Sequence, residues 1–187
     1  ASFLQVNPVQ TEKLYAKALE FAGLQGHEVV VDAYCGIGTI SLALARRAAG
    51  VIGIEIVPQA IEDARDNALR NGLTNVQFIC APAEQELPRI VEQGLRPDLV
   101  VLDPPRKGCD EALVRAVIDS GVGRIVYVSC NPATLARDCK LFAAAGYGLE
   151  AAQPVDMFPM CSHVETVCLL SKPHIGHDTE GLAVAAL

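Results

Sequence analysis

No stretch of the chain approaches the roughly 18 consecutive apolar residues that a membrane-spanning helix needs. Nothing is therefore expected to cross a bilayer, although 51% of the 187 residues are hydrophobic. A basic excess is missing too: 15 Lys and Arg stand against 22 Asp and Glu, a net charge of −7. A free-standing nucleic-acid binder normally carries a basic surplus or stripe. Either this chain takes no nucleic acid, or most of the binding surface lies elsewhere. None of the seven cysteines belongs to a CxxC pair, and their number is odd. That argues against a disulfide framework and a zinc site, and favours a reducing cytosol. The opening residues Ala1-Ser2-Phe3-Leu4-Gln5 lack the basic region of a secretory signal, and the missing initiator Met points to a fragment of a longer chain. Linkers, repeats and low-complexity tracts are absent as well. What remains is a length and an apolar content that suit one domain with a real core.

Within that domain, short apolar runs alternate with segments of helical period. Val29–Asp32, Val51–Glu55, Val76–Ile79, Leu99–Asp103 and Arg124–Ser129 read as strands. Their Val and Ile content without polar alternation suits a parallel sheet covered on both faces. Helices are expected near 9–22, 38–49, 58–71, 82–93, 110–120 and 132–145. The third opens at Pro58 and closes at Asn71-Gly72, good end signals. The β-α order predicts an α/β, doubly wound sheet with right-handed crossovers. After Gly146 two extended stretches, near 148–156 and 163–171, predict a hairpin-like ending, and 173–187 is expected to be a peripheral or disordered tail.

Four constellations carry chemistry. The first, Asp32-Ala33-Tyr34-Cys35-Gly36-Ile37-Gly38-Thr39, joins the first strand to a helix. Gly36 and Gly38 let backbone approach a ligand and leave helix amides facing it. Ser41 replaces the third glycine of a dinucleotide fingerprint, which weakens a pyrophosphate reading. Glu55 ends the next strand, where an acid commonly accepts ribose hydroxyls; the bland alternative is a tight turn beside a solvated Glu. The second, Asp103-Pro104-Pro105-Arg106-Lys107-Gly108, follows the fourth strand, so that Asp103 faces the crevice at the strands' carboxyl ends. Arg106 stands where an amine methyltransferase would carry a stacking aromatic. Arg106 and Lys107 are either phosphate contacts or a solvated pair.

The third constellation, Ser129-Cys130-Asn131-Pro132, puts a thiol between a strand end and a helix start. The helix dipole there is expected to lower the Cys130 pKa and make it a nucleophile. The other six cysteines read as packing residues. In the fourth, His163-Val164-Glu165, His163 and Glu165 share one face of an extended strand. Glu165, at the edge of an apolar run, is either a general base of raised pKa or a strand-end carboxylate in solvent, with His163 capping the loop.

The glycine turn, the acid after the second strand and the hairpin ending resemble the Rossmann-like class I methyltransferases that use S-adenosylmethionine. Together, the block Ser129-Cys130-Asn131-Pro132 with Thr134-Leu135-Ala136-Arg137-Asp138, and His163-Val164-Glu165, resemble the catalytic domain of the RNA 5-methyluridine (uracil-C5) methyltransferases. The likeness runs from Phe3 to about Lys172. It implies a catalytic domain over 1–172 whose last strand is antiparallel. It implies that Gln5, Tyr34, Thr39, Glu55 and Asp103 contact S-adenosylmethionine, with Cys130 as nucleophile and Glu165 as base. Arg106, Lys107, Asn131 and His163 are the candidates for substrate contact. The Pro-Pro-Arg-Lys-Gly form at 104–108 leans to the ribosomal-RNA branch. The expected partner is therefore RNA, ribosomal before transfer, with no membrane and no obligate protein partner, in the cytoplasm. Family members usually add an N-terminal RNA-binding barrel and, in many cases, an iron–sulfur cluster on upstream cysteines. Neither is expected here, nor any metal in this chain, and the acidic charge then fits an excised catalytic domain. Two other readings compete: methylation of a base amine or protein side chain without a covalent step, and a donor-binding module without catalysis.

Overall fold

A computed structural model describes residues 7–157 and 164–172. Their order is α1 (Pro8–Ala22), β1 (Val29–Ala33), α2 (Thr39–Ala45), β2 (Gly50–Glu55), α3 (Pro58–Arg70), β3 (Val76–Cys80), α4 (Ala83–Glu92), β4 (Leu99–Leu102), α5 (Glu111–Asp119), β5 (Arg124–Ser129), α6 (Pro132–Ala144), β6 (Gly148–Val155) and β7 (Glu165–Ser171). The seven strands form one sheet in the order β3-β2-β1-β4-β5-β7-β6. Only β7 runs against the others, wedged antiparallel between β5 and β6. The hairpin ending is thus real, but its second strand is inserted into the sheet rather than added at its edge.

The uninterrupted apolar runs are explained by two covered faces. In β4, Leu99 and Val101 pack with Leu14, Ala18, Ile40 and Leu44 of α1 and α2. Val100 and Leu102 pack on the other side with Leu87, Leu113, Val117 and Phe142 of α4, α5 and α6. Complete burial of one such aliphatic side chain is worth about 1.5–3 kcal/mol. A third cluster seats α3 through Ile61, Ala64 and Ala68 around Phe78.

Boundaries differ from the expected ones where tertiary needs intervene. Helix α2 stops at Ala45, not 49. The amides of Arg47 and Ala48 turn back on Leu44, and the chain enters β2 at Gly50. Helix α4 continues through Pro88, which ordinarily breaks a helix; its buried face of Ala83, Leu87 and Ile90 holds it in place.

The connection reverses between β1 and β4, the switch point where open α/β sheets bind ligands. Because β7 is antiparallel, its first residue lies at the same sheet edge as the last residues of β1, β4 and β5. Thr166 pairs with Ser129, so Glu165 and Cys130 arrive at that edge from opposite chain directions. The expected tail beyond 172 lies outside the described residues.

Candidate active site

Two half-sites meet at this edge. The first surrounds the glycine turn. Tyr34 (φ 68°), Gly36 (φ 55°) and Gly38 (φ 83°) bend the backbone sharply between β1 and α2. A Cβ on Gly38 would lie 2.8 Å from the Phe78 ring, so only glycine fits there. Glu55 is bound into the turn: one carboxylate oxygen accepts from the Gly36 amide (3.2 Å), the other from the Val57 amide (3.0 Å). Thr39 is exposed at the first residue of α2.

Beneath the turn lies Asp32, wholly buried. The Ser41 hydroxyl donates to its Oδ2 at 2.5 Å, and its Oδ1 meets no hydrogen-bond partner among the described residues. Burial pushes the Asp32 pKa up to about 7, against the Ser41 hydrogen bond and with help from the Glu55 charge. Ser41 therefore replaces the third glycine with a donor. Its spacing from Asp32 carries no signal that would reveal this pairing in the sequence.

The second half-site gathers Asp103, Arg106, Cys130 and Glu165. Asp103 follows β4, and its pKa is pushed up to about 8, by burial first and then by the charges of Asp32 and Glu165. It is thus the electrostatic link between the two halves. Glu165 is buried, 6% exposed, which removes the solvated alternative. Burial raises its pKa, and the Arg106 charge opposes that rise. The expected drop in the Cys130 pKa is not found. Burial of the half-covered thiol raises it and the neighbouring Glu165 and Asp103 add to the rise, while a backbone hydrogen bond and Arg106 oppose it. A helix dipole of about half a charge is outweighed here by two carboxylates and partial desolvation.

Asn131 caps α6: its Oδ1 accepts from the Ala133 amide (3.0 Å), and its Nδ2 donates to the Arg106 carbonyl (3.1 Å). Its amide is engaged at both ends within the protein. Lys107 is exposed on the same loop. Gln5 and His163 lie outside the described residues. Sequence reasoning assigns no site role to Arg137 and Asp138, which bind this loop from α6; their contacts span about thirty residues of chain and leave no local signature. Among the described residues, no group of three or more His, Cys, Asp or Glu is arranged to hold a metal ion. No described helix is long and apolar enough to cross a membrane.

A family model described as tRNA (uracil-5-)-methyltransferase matches residues 1–173. The chain belongs to the RNA uracil-5-methyltransferase family. Among relatives, an uncharacterized RNA methyltransferase of Clostridium acetobutylicum is 54% identical over 171 residues, covering 91% of this chain and 37% of that protein. One of Halalkalibacterium halodurans is 57% identical over 169 residues, covering 90% and 37%. Our chain thus spans little more than a third of these relatives' length. Among solved structures, a Pyrococcus abyssi tRNA (uracil-54, C5)-methyltransferase in complex with S-adenosyl-L-homocysteine superposes with a TM-score of 0.77 at 35% identity, over 90% of this chain and 40% of that one. A precorrin-6y C5,15-methyltransferase of Geobacter metallireducens, with a TM-score of 0.72 at 21% identity over 86% and 88%, shares the fold. The seven-stranded chain is accordingly the class I methyltransferase unit of the uracil-5-methyltransferase family.

Proposed function

We propose that this chain is the catalytic part of an S-adenosylmethionine-dependent enzyme that methylates C5 of a uridine in RNA through a covalent adduct on Cys130. The observation that carries the reading is the meeting, at one sheet edge, of a thiol, a buried carboxylate and a cation: Cys130, Glu165 and Arg106. The relatives named as RNA methyltransferases and the Pyrococcus enzyme's uracil specificity support it.

The first half-site fits S-adenosylmethionine. A Cβ on Gly36 would meet nothing within 4 Å, so open space lies over the turn. Ile56 and Val57, 61% and 49% exposed, form an apolar shelf just after Glu55. Among the described residues, Asp32 Oδ1 has no hydrogen-bond partner. Glu55 would take the ribose hydroxyls, with Gly36, Gly38 and Thr39 lining the turn and Gln5, Tyr34 and Asp103 completing the contacts. When bound, S-adenosylmethionine supplies an electrophilic methyl on a sulfonium.

The second half-site does the rest. Uracil C5 is too weak a nucleophile to take a methyl unaided. Cys130 Sγ bonds to C6, and the displaced π electrons build an enolate that makes C5 nucleophilic. Once C5 carries the methyl, Glu165 removes the C5 proton. The electron pair left at C5 re-forms the C5–C6 double bond as the C6–S bond breaks, returning the Cys130 thiolate. The electrostatics suit this order. Free thiolate and carboxylate oppose each other's ionisation, but in the adduct the sulfur is a neutral thioether, and Glu165 is then freer to be the anionic base. The target base must leave its stack to reach the crevice. Arg106 and Lys107 would meet the RNA backbone, and His163 is a further candidate for substrate contact.

The Pro104-Pro105-Arg106-Lys107-Gly108 form supports ribosomal RNA as the substrate, in the cytoplasm. The test uses transcripts carrying 5-fluorouridine, ribosomal and transfer, with S-adenosylmethionine, this chain and a chain extended to its relatives' length. Fluorine at C5 prevents the last proton removal, so a denaturant-stable complex is expected on ribosomal RNA, with the modified peptide containing Cys130. An adduct on transfer RNA alone overturns the substrate assignment. Adduct from neither protein, with donor binding intact, overturns the covalent mechanism.

A further inference from the structure

The turn between β4 and α5 is held far more firmly than a surface loop requires. Pro104 and Pro105 fix their own φ, and the Gly108 amide donates to the Pro105 carbonyl (2.8 Å). Helix α6 grips the backbone from Arg106 to Cys109. The Arg106 carbonyl accepts from Asn131 Nδ2 (3.1 Å) and Thr134 Oγ1 (3.3 Å). The Lys107 and Cys109 carbonyls each accept from Arg137 Nη2 (3.1 Å). The Cys109 amide donates to Asp138 Oδ2 (2.8 Å). Asp138 is wholly buried and is held by Tyr127 Oη (2.6 Å) and Arg137 Nε (2.8 Å). Gly108 lies against this clamp at φ 79°, and a Cβ there would stand 2.6 Å from Arg137 Nη2. Asp138 is buried but half of the Arg137 side chain is exposed, and an ion pair open to solvent on one side contributes little net stability. What it supplies is a fixed geometry.

That geometry concerns the two residues whose side chains the clamp leaves outward, Arg106 and Lys107. The helix that grips the loop is also the helix at whose start Cys130 sits. We infer that Arg137 and Asp138 are positioning residues: they lock residues 107–109 onto α6 so that Arg106 faces Cys130 and Glu165, and loop and nucleophile move as one body. The inference rests on the reading of Cys130 as the nucleophile for its catalytic meaning, but its geometric content can be tested apart from it. The charged groups acting on Cys130 are Glu165 from β7, Asp103 from the end of β4, and Arg106. Arg137 is not among them, and its hydrogen bonds to the Lys107 and Cys109 carbonyls link it to the loop that carries Arg106.

The experiment measures the rate of Cys130 alkylation by iodoacetamide against pH in the intact chain, mapped by peptide mass spectrometry. Arg106→Gln is expected to slow alkylation near neutral pH about tenfold, as the thiolate fraction falls. Arg137→Gln is expected to slow it about threefold. Arg137→Lys, which keeps the charge but loses the planar fork, should also slow it, though less. The deciding result is the double variant Arg106→Gln/Arg137→Gln, expected to match Arg106→Gln alone. A wild-type profile for Arg137→Gln, or rate losses that multiply in the double variant, overturns the inference. Urea denaturation checks folding. If Arg137→Gln unfolds, Thr134→Val removes one hydrogen bond to the Arg106 carbonyl and should shift the profile the same way, and no shift overturns the inference. If Cys130→Ala keeps turnover, the covalent mechanism fails while this cycle still reads the clamp.

Discussion

The two half-sites at one sheet edge are built by opposite means. The turn around Gly36 and Gly38 is made chiefly by backbone conformation: positive-φ residues bend it, Glu55 accepts from the Gly36 amide, and the Phe78 ring of β3 and Asn67 of α3, which donates to the Ile37 carbonyl (3.2 Å), back it from outside. The thiol site is assembled from afar. Asp103, Cys130 and Glu165 come from three strands, and Arg106 is held by donors 25 and 28 residues away. A site made of backbone turns suits a ligand recognised by shape and hydrogen bonds. A site made of converging side chains suits chemistry, where charges must be set against one another.

The largest effect expected separates the halves outright. Cys130→Ala should remove turnover, at least 10³-fold on the usual loss of a nucleophile, while calorimetric binding of S-adenosylmethionine is retained. Glu55→Ala should do the reverse, weakening donor binding about tenfold, about 1.4 kcal/mol, and leaving turnover at saturating donor within a few-fold. If both variants lose donor binding equally, the division between the halves is wrong.

Next comes stability. Asp138→Ala strands the Tyr127 hydroxyl and the Cys109 amide in the core and leaves Arg137 without its carboxylate. A loss of about 2–4 kcal/mol is expected from leaving the two buried polar groups unsatisfied, read as a lower urea midpoint. Ser41→Ala, the matching cut in the other half, removes one hydrogen bond to Asp32 and should cost about 1–2 kcal/mol.

This contrast also explains what was legible. The strands could be read because a doubly covered parallel sheet makes continuous apolar runs, and the glycine turn because its signals are adjacent in sequence. Cys130 and Glu165 are legible as residues, and the raised Glu165 pKa is one of its two sequence readings, but the balance of charges at Cys130 is not legible. The dipole argument for Cys130 is local and correct in sign, yet the fold brings Glu165 and Asp103 against it, and those charges, with burial, win. Asp138 belongs to the block that carries the family resemblance, but nothing within α6 indicates that it is buried against the Cys109 amide 29 residues away. Ser41 read as a missing glycine because a pattern based on backbone shape has no place for a hydroxyl donor.

The pH dependence of stability reports on the boundary between the halves. Asp32 and Asp103 have folded pKa values raised to about 7 and about 8, mainly by burial. A carboxylic acid with a raised folded pKa binds more protons folded than unfolded, so stability is greatest below the unfolded value near 4 and falls as pH rises towards the folded value. From Asp32 alone the fall between pH 4 and 8 is on the order of 3 kcal/mol. Asp32→Asn should flatten that part of the slope, measured as urea midpoints across the range. An unchanged slope would mean that Asp32 stays ionised in the folded chain.

The smallest contrast sets two glycines of the same backbone hand against each other. Gly36 and Gly108 both have positive φ, 55° and 79°. Gly36→Ala meets no atom within 4 Å, whereas Gly108→Ala drives its Cβ to 2.6 Å from Arg137 Nη2 and 2.7 Å from Asp138 Oδ2. The first should lose only the cost of a left-handed backbone, about 1 kcal/mol. The second should lose that and disturb the clamp, about 2–3 kcal/mol in total. Thermal or urea unfolding measures both losses, but the activities should part in kind as well as in size. Gly36→Ala intrudes on the open space over the turn and should raise the donor concentration needed. Gly108→Ala should leave donor binding alone and slow Cys130 alkylation, because it shifts the loop that carries Arg106. Equal losses in the two variants would mean that the loop yields around the new methyl group, and that its many hydrogen bonds do not hold it in one place.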